Sequence, residues 1–255
     1  MDLFVRESGP VGAPAVVFLH GAEYSGRSWQ PVVDRMQRYR CLVPDLPQHG
    51  ESATPGRFDM SGAAQAVAEL IRTRVSSGRV HLVGHSLGAQ VGVQLLASEP
   101  KLVDRAVLCG TMIDAVPGRR LTAPLLGLVA RVSRFVTVRM SLRRERIPSA
   151  KPDDYREDVR LMTGAQVAHL VEASAGFTLP QGLDKSDSPT LFLTGDRELW
   201  FVRRSAAVLA QRMPHGVNGI VLGMDHDWPL RYPDLFSRTV EGWLSGSALP
   251  AEIAV

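Results

Sequence analysis

The chain has 255 residues, 45% of them hydrophobic and 22% charged, and 29 Lys and Arg against 26 Asp and Glu give a formal net charge of +3. That composition fits one large α/β domain or two small domains and excludes a disordered, collagenous or fibrous chain. Met1 to Gly9 has no basic stretch leading into an apolar core, and the longest apolar runs break within a few residues, so the expectation is a cytoplasmic protein with neither signal peptide nor transmembrane segment.

Short apolar runs alternate with amphipathic stretches of helix length, the pattern of strands joined by crossover helices in a mainly parallel sheet. In chain order the pattern predicts an edge strand at Leu3 to Arg6, a strand at Ala15 to Leu19, a helix at Ser28 to Arg38 and a strand at Cys41 to Pro44. A helix at Ser61 to Val75, a strand at Val80 to Val83, a helix at Leu87 to Ser98 and a strand at Ala106 to Cys109 follow. There the alternation lapses. The stretches Leu121 to Met140, Asp153 to Met162 and Ala165 to Ala175 read as helices with no strand between them. An insert over 111–188, bounded by Pro117-Gly118 and by Ser186 to Pro189, is therefore expected to form a helical lid on a core made of 1–110 and 189–255. The alternation resumes with a strand at Thr190 to Thr194, a helix at Val202 to Gln211, a strand at Gly219 to Leu222 and a helix at Pro233 to Leu244. The tail from Ser245 reads as frayed chain.

The charge is unevenly placed. Between Arg119 and Lys151 there are nine basic residues and one acidic one, Glu145, so this stretch carries +8 and the remainder −5. Arginine outnumbers lysine 26 to 3 in the whole chain, so part of that density is global usage. The plain reading is a solvated amphipathic lid; the sharper one is attraction of an anionic substrate or acyl carrier. No aromatic platform accompanies the charges, which argues against nucleic acid. Cys41 and Cys109 each sit in an apolar run without Cys-x-x-Cys spacing and read as buried free thiols, and no further His or Cys cluster supports a metal.

The strongest chemical signal is Gly84-His85-Ser86-Leu87-Gly88, a G-x-S-x-G pentapeptide between a predicted strand and a predicted helix. In that setting the serine occupies a sharp strand-to-helix turn, flanked by residues small enough for the two elements to meet, and is a candidate nucleophile. The helix N-terminus beside it favours developing negative charge.

With this pentapeptide, His20-Gly21 after an early strand, Asp45-Leu46-Pro47-Gln48-His49-Gly50-Glu51-Ser52 after the next, and a late His226, the chain resembles the α/β-hydrolase superfamily, specifically its lid-bearing serine esterases. The resemblance covers nearly the whole chain. It implies an eight-stranded, mostly parallel sheet flanked by helices, with the lid inserted after the sixth strand. It also implies a cofactor-free hydrolase working through an acyl-enzyme on Ser86, with His226, just before Trp228-Pro229, as general base. Of the other six histidines, His20, His49 and His85 support backbone turns in resembling proteins. His81, His169 and His215 read as solvated or packed.

The family usually places its acid three residues after the glycine that ends Leu191-Phe192-Leu193-Thr194-Gly195, which is Glu198 here; Asp196 and Asp114 remain alternatives. The oxyanion would be met by the backbone N–H groups of Ala22 and Leu87. Glu23, Tyr24, Trp200 and Trp228 are candidate substrate contacts. Three departures from the family pattern stand out. Gln48 replaces a frequent glycine, Asp225 replaces the glycine that usually precedes the base histidine, and Asp227 follows it. Either carboxylate near the imidazole would favour its charged form. Ester or thioester hydrolysis is the reaction expected first. Carbon–carbon bond hydrolysis, lactone opening and acyl transfer use the same apparatus, and a ligand-binding receptor with weak turnover is the alternative of another class.

Overall fold

The computed structural model describes residues 2–22, 24–52, 56–113 and 163–255. Eight strands form one sheet: β1 (Val5–Ser8), β2 (Ala15–Leu19), β3 (Arg40–Pro44), β4 (Val80–His85), β5 (Val103–Cys109), β6 (Thr190–Gly195), β7 (Gly216–Val221) and β8 (Ile253–Ala254). Their spatial order is β1-β3-β2-β4-β5-β6-β7-β8, parallel throughout except for β1 on β3 and β8 on β7. The described α-helices are α1 (Gln30–Val33), α2 (Met60–Arg74), α3 (Leu87–Ser98), α4 (Gly164–Gly176), α5 (Trp200–Arg212), α6 (Trp228–Arg231) and α7 (Pro233–Ser245).

The interior strands are short apolar runs because both sheet faces are covered. All five residues of β2 are buried, and their alternation divides them between two cores. Ala15, Val17 and Leu19 face a cluster that takes in Ala63, Val67 and Ile71 of α2, Val91 and Leu95 of α3, and Leu209 of α5. Val16 and Phe18 face a second one built on Trp29, Trp228, Phe236 and Val240. Period-two side-chain direction thus turns one run of five residues into the partition between two helical layers.

Helix limits follow local chemistry. Asp59 caps α2 by accepting the Gly62 N–H, and Thr163 with Gln166 forms a capping box at α4. Three expectations need correction. The helix expected over Ser28 to Arg38 is a 3-10 turn at Gly26–Trp29 followed by the single turn of α1. Arg35 and Met36 then bond three residues back, to Val32 and Val33, which tucks Met36 into the core. The tail is not frayed. Gly246, at φ +70°, ends α7; the Ser247 N–H returns to the Gly242 carbonyl, and the chain runs back to add β8 to the sheet. Finally, the break in alternation follows the fifth described strand rather than the sixth, because the eighth strand is supplied by that tail.

Among the described residues, no helix is long and apolar enough to cross a membrane. The expected lid helices Leu121 to Met140 and Asp153 to Met162, and the basic stretch Arg119 to Lys151, lie outside the described residues, as do Glu23 and Asp114. Of the expected insert, α4 is described, and its Leu170, with Phe177 and Leu183 beyond it, belongs to the first core.

Candidate active site

The strand order reverses direction at β2: β3 lies on one side of it and β4 on the other. In an open α/β sheet such a switch point leaves a crevice beyond the carboxyl ends of the strands, where ligands bind. Register brings Leu19 level with Gly84, His85 with Cys109, Cys109 with Leu193 and Gly195 with Val221. The residues that follow these strands therefore meet along one edge of the sheet.

Ser86 sits at that edge in the left-handed region, φ +53° and ψ −113°, as the residue preceding α3, and its N–H bonds the Cys109 carbonyl at 2.8 Å. A non-glycine residue persists there only when its surroundings over-determine the backbone. They do so through two glycines. A Cβ on Gly84 would lie 2.7 Å from the Gly88 carbonyl oxygen, and one on Gly88 would lie 2.2 Å from the Leu19 carbonyl oxygen. The Gly88→Ala variant is accordingly expected to lose at least about 2 kcal/mol of stability, since the obstructing atoms are backbone that cannot swing aside. Urea unfolding checks this; an unchanged midpoint would contradict the close packing of α3 on β2.

The structure brings His226 and Glu198 together. The His226 Nδ1 lies 2.9 Å from Glu198 Oε2, while Glu198 Oε1 accepts the Gly195 N–H at 3.1 Å. The carboxylate side chain is 1% exposed and the imidazole 38%. Glu198 is thus an oriented, desolvated partner for a ring that remains open to the crevice. Asp196 is not so placed: its Oδ1 is buried without a hydrogen-bond partner among the described residues. Gly110, at φ +66°, follows β5 and makes room for the ring, for a Cβ there would lie 2.6 Å from His226 Cε1. Sequence reasoning missed Gly110, although a glycine directly after a buried strand was its signal.

The residues flanking His226 have another partner. Asp225 Oδ2 is 2.8 Å from Arg231 Nη1, and Asp227 Oδ2 is 3.9 Å from Arg231 Nη2. Asp227 also accepts the Tyr24 hydroxyl at 3.5 Å. Arg231 therefore compensates both carboxylates, and the spacing of four residues from Asp227 was the available signal for it.

Three buried histidines build the walls. His20 donates from Nδ1 to the Gly21 carbonyl at 2.8 Å and accepts the Leu46 N–H at Nε2, 2.9 Å away, so its neutral form satisfies both nitrogens. Burial, then the nearby His49, pushes its pKa down to about 3. His49 faces the Pro47 carbonyl through Nδ1 and the Ala22 carbonyl through Nε2, both at 2.9 Å, and burial lowers its pKa too. The His20 bond to the Gly21 carbonyl holds the Gly21–Ala22 peptide, whose N–H is one expected oxyanion donor. His85, pushed down to about 4 by burial first and by His226 second, completes the set.

In the unfolded chain these rings take up protons near pH 6.5, whereas the folded protein resists protonation of His85 and His20 to about pH 4 and 3. Across that window the unfolded state binds more protons, so stability falls as the pH drops below 6.5, by up to about 1.4 kcal/mol per pH unit for each such histidine. Urea midpoints at pH 7, 6 and 5 are expected to decline; a midpoint constant over that range would refute the neutral assignment.

The candidate substrate contacts divide. Tyr24 is buried beside the site, its ring 3.2 Å from where a Gly21 Cβ would stand. Trp200, which opens α5 two residues after Glu198, is 59% exposed. Trp228 is a correction: it is wholly buried in the second core and donates its indole N–H to Cys109 Sγ at 3.1 Å, because α6 turns the ring inward against Phe236. Gln48 adopts φ +66°, the left-handed conformation for which glycine is suited. The loop it belongs to is tied down by Asp45, wholly buried, which accepts the N–H groups of Gly26 and Glu51 and a guanidinium bond from Arg6. Both cysteines are buried free thiols. Burial pushes Cys41 up to about 12 and raises Cys109 well above its ordinary range.

A family model described as "Alpha/beta hydrolase family" matches residues 16–239. The chain is 31% identical over 121 residues to the magnesium-chelatase 30 kDa subunit of Rhodobacter capsulatus, a stretch covering 46% of this chain and 42% of that protein. It is likewise 31% identical over 121 residues to lipase LipV of Mycobacterium tuberculosis, covering 48% and 46%. The matched stretch thus spans less than half the length of each of these curated relatives. The solved enol-lactonase from Burkholderia xenovorans LB400 superposes with a TM-score of 0.79 at 22% identity, covering 95% of this chain and 96% of that one. At that identity the likeness concerns the fold.

Proposed function

The chain belongs to the alpha/beta hydrolase family, and from that premise we propose that it hydrolyses carboxylic esters or thioesters of small molecules, with Ser86 as nucleophile, His226 as general base and Glu198 as the acid that orients it. The observation that carries the reading is the Glu198–His226 hydrogen bond, on the same sheet edge as a serine held at φ +53°. A carboxylate on Nδ1 keeps the Nδ1–H tautomer, which leaves the Nε2 lone pair to take a proton.

In this reading the Ser86 hydroxyl oxygen attacks the acyl carbon as His226 Nε2 removes its proton. The tetrahedral oxyanion is met by the N–H groups of Leu87 and Ala22, the former at the start of α3, where the helix dipole adds to the stabilisation. Collapse expels the alkoxide or thiolate, which takes the proton from His226, and leaves an ester on Ser86. Water then repeats the sequence and releases the acid. Of the substrate-contact candidates Tyr24 and Trp200, the exposed Trp200 has surface to offer a substrate.

A panel of short p-nitrophenyl esters, a thioester and a lactone tests the proposal. Turnover of the esters or the thioester is the expected result. Turnover confined to the lactone would move the reading to lactone opening, and a folded protein inert to all three would overturn it.

A further inference from the structure

The position before the nucleophile holds a histidine that takes no part in the steps above. His85 ends β4 and is wholly enclosed, its ring centroid 4.9 Å from that of His226 and 6.5 Å from those of Tyr24 and Trp29. Gly21 stands aside for it, since a Cβ there would lie 3.3 Å from His85 Nδ1. Among the described residues the ring makes one polar contact: Nε2 lies 2.9 Å from the backbone carbonyl of His226 itself. Nδ1 is buried without a hydrogen-bond partner among the described residues. A carbonyl only accepts, so Nε2 carries the proton, and a ring kept neutral by burial has no second proton for Nδ1.

We propose that His85 is a positioning residue for the base: its Nε2–H, donated to the His226 carbonyl, braces the loop carrying the imidazole against the turn carrying Ser86. The two loops come from β4 and β7, which are not neighbours in the sheet, so no ladder hydrogen bond links them. A strut from the residue next to Ser86 to the peptide of His226 sets the spacing of their reactive atoms directly. The proposal rests on the hydrolase reading of the site.

The competing account is that His85 merely fills space, and two variants separate them. His85→Phe keeps an aromatic ring but has no donor; His85→Gln loses the ring but places an N–H at nearly the same reach. With a short p-nitrophenyl ester, His85→Phe is expected to lower kcat about 30-fold with KM within about threefold, as a sub-ångström displacement of the base does. His85→Gln is expected to recover kcat to within about fivefold of the parent, because the donor returns. Should His85→Phe fail to fold, His85→Met serves as the donor-free variant. Amide hydrogen exchange of the segment 225–228, read by mass spectrometry, is expected to accelerate in the donor-free variant and to return towards the parent rate in His85→Gln. This readout does not depend on turnover, so an inert parent would sink the hydrolase reading while exchange still judged the strut. A donor-free variant equal to or better than His85→Gln in kcat and in exchange would overturn the proposal.

Discussion

Replacing Ser86 with alanine is expected to lower kcat/KM for ester hydrolysis at least about 10,000-fold while leaving the protein folded. In the proposed reaction the loss is large because the serine oxygen forms the bond that defines the acyl-enzyme, and neither the imidazole nor the oxyanion donors supply a substitute at that position. The fold is expected to survive because the strain at φ +53° is imposed by Gly84, Gly88 and the Ser86 N–H bond to Cys109, none of which involves the hydroxyl. A thermal midpoint close to the parent's would accompany the lost activity. Retention of more than about a tenth of the parent rate would contradict the assignment, since a spectator serine is the only kind whose removal costs so little.

The second large effect concerns the acid. Glu198→Gln is expected to lower kcat about 1,000-fold or more, and Asp196→Asn to leave it within about threefold. The glutamine is nearly isosteric, so the loss follows from the proton's place. Glu198 Oε1 accepts the Gly195 N–H, which obliges a glutamine to put its oxygen there and turn its NH2 towards His226. Nδ1 must then accept, its proton moves to Nε2, and the nitrogen needed as a base is already protonated. Asp196, whose Oδ1 has no hydrogen-bond partner among the described residues, has no comparable hold on the ring. A collapse of activity in Asp196→Asn or Asp114→Asn, with Glu198→Gln near the parent, would transfer the role.

Much of this arrangement is legible in the sequence because it follows from steric demands that few residues meet. Gly84 and Gly88 are readable since only glycine lets α3 meet β4 and β2 at those distances, and the buried strands are readable since covered faces require unbroken apolar runs. Strand β8 is not readable: two residues, Ile253 and Ala254, make no run, and their pairing with β7 depends on a turn at Gly246 whose destination is a tertiary matter. The choice among carboxylates is illegible for the same reason, because Asp196 and Glu198 share a loop and differ only in where the backbone aims them. Trp228 misleads because proximity in sequence to His226 says nothing of which side of α6 meets the core. Arg231 acts on two carboxylates and His85 on one peptide carbonyl, and periodicity carries no trace of the latter.

The central claim is that Ser86 is an activated nucleophile held beside its base, and covalent capture tests it most directly. The parent, Ser86→Ala and His226→Ala are incubated with a fluorophosphonate and the site of modification is mapped by peptide mass spectrometry. The account predicts one adduct per chain on the peptide carrying Ser86, none in Ser86→Ala, and labelling slowed at least about 100-fold in His226→Ala, where the general base is gone. Modification at another residue, or equal labelling of the parent and His226→Ala, would contradict it.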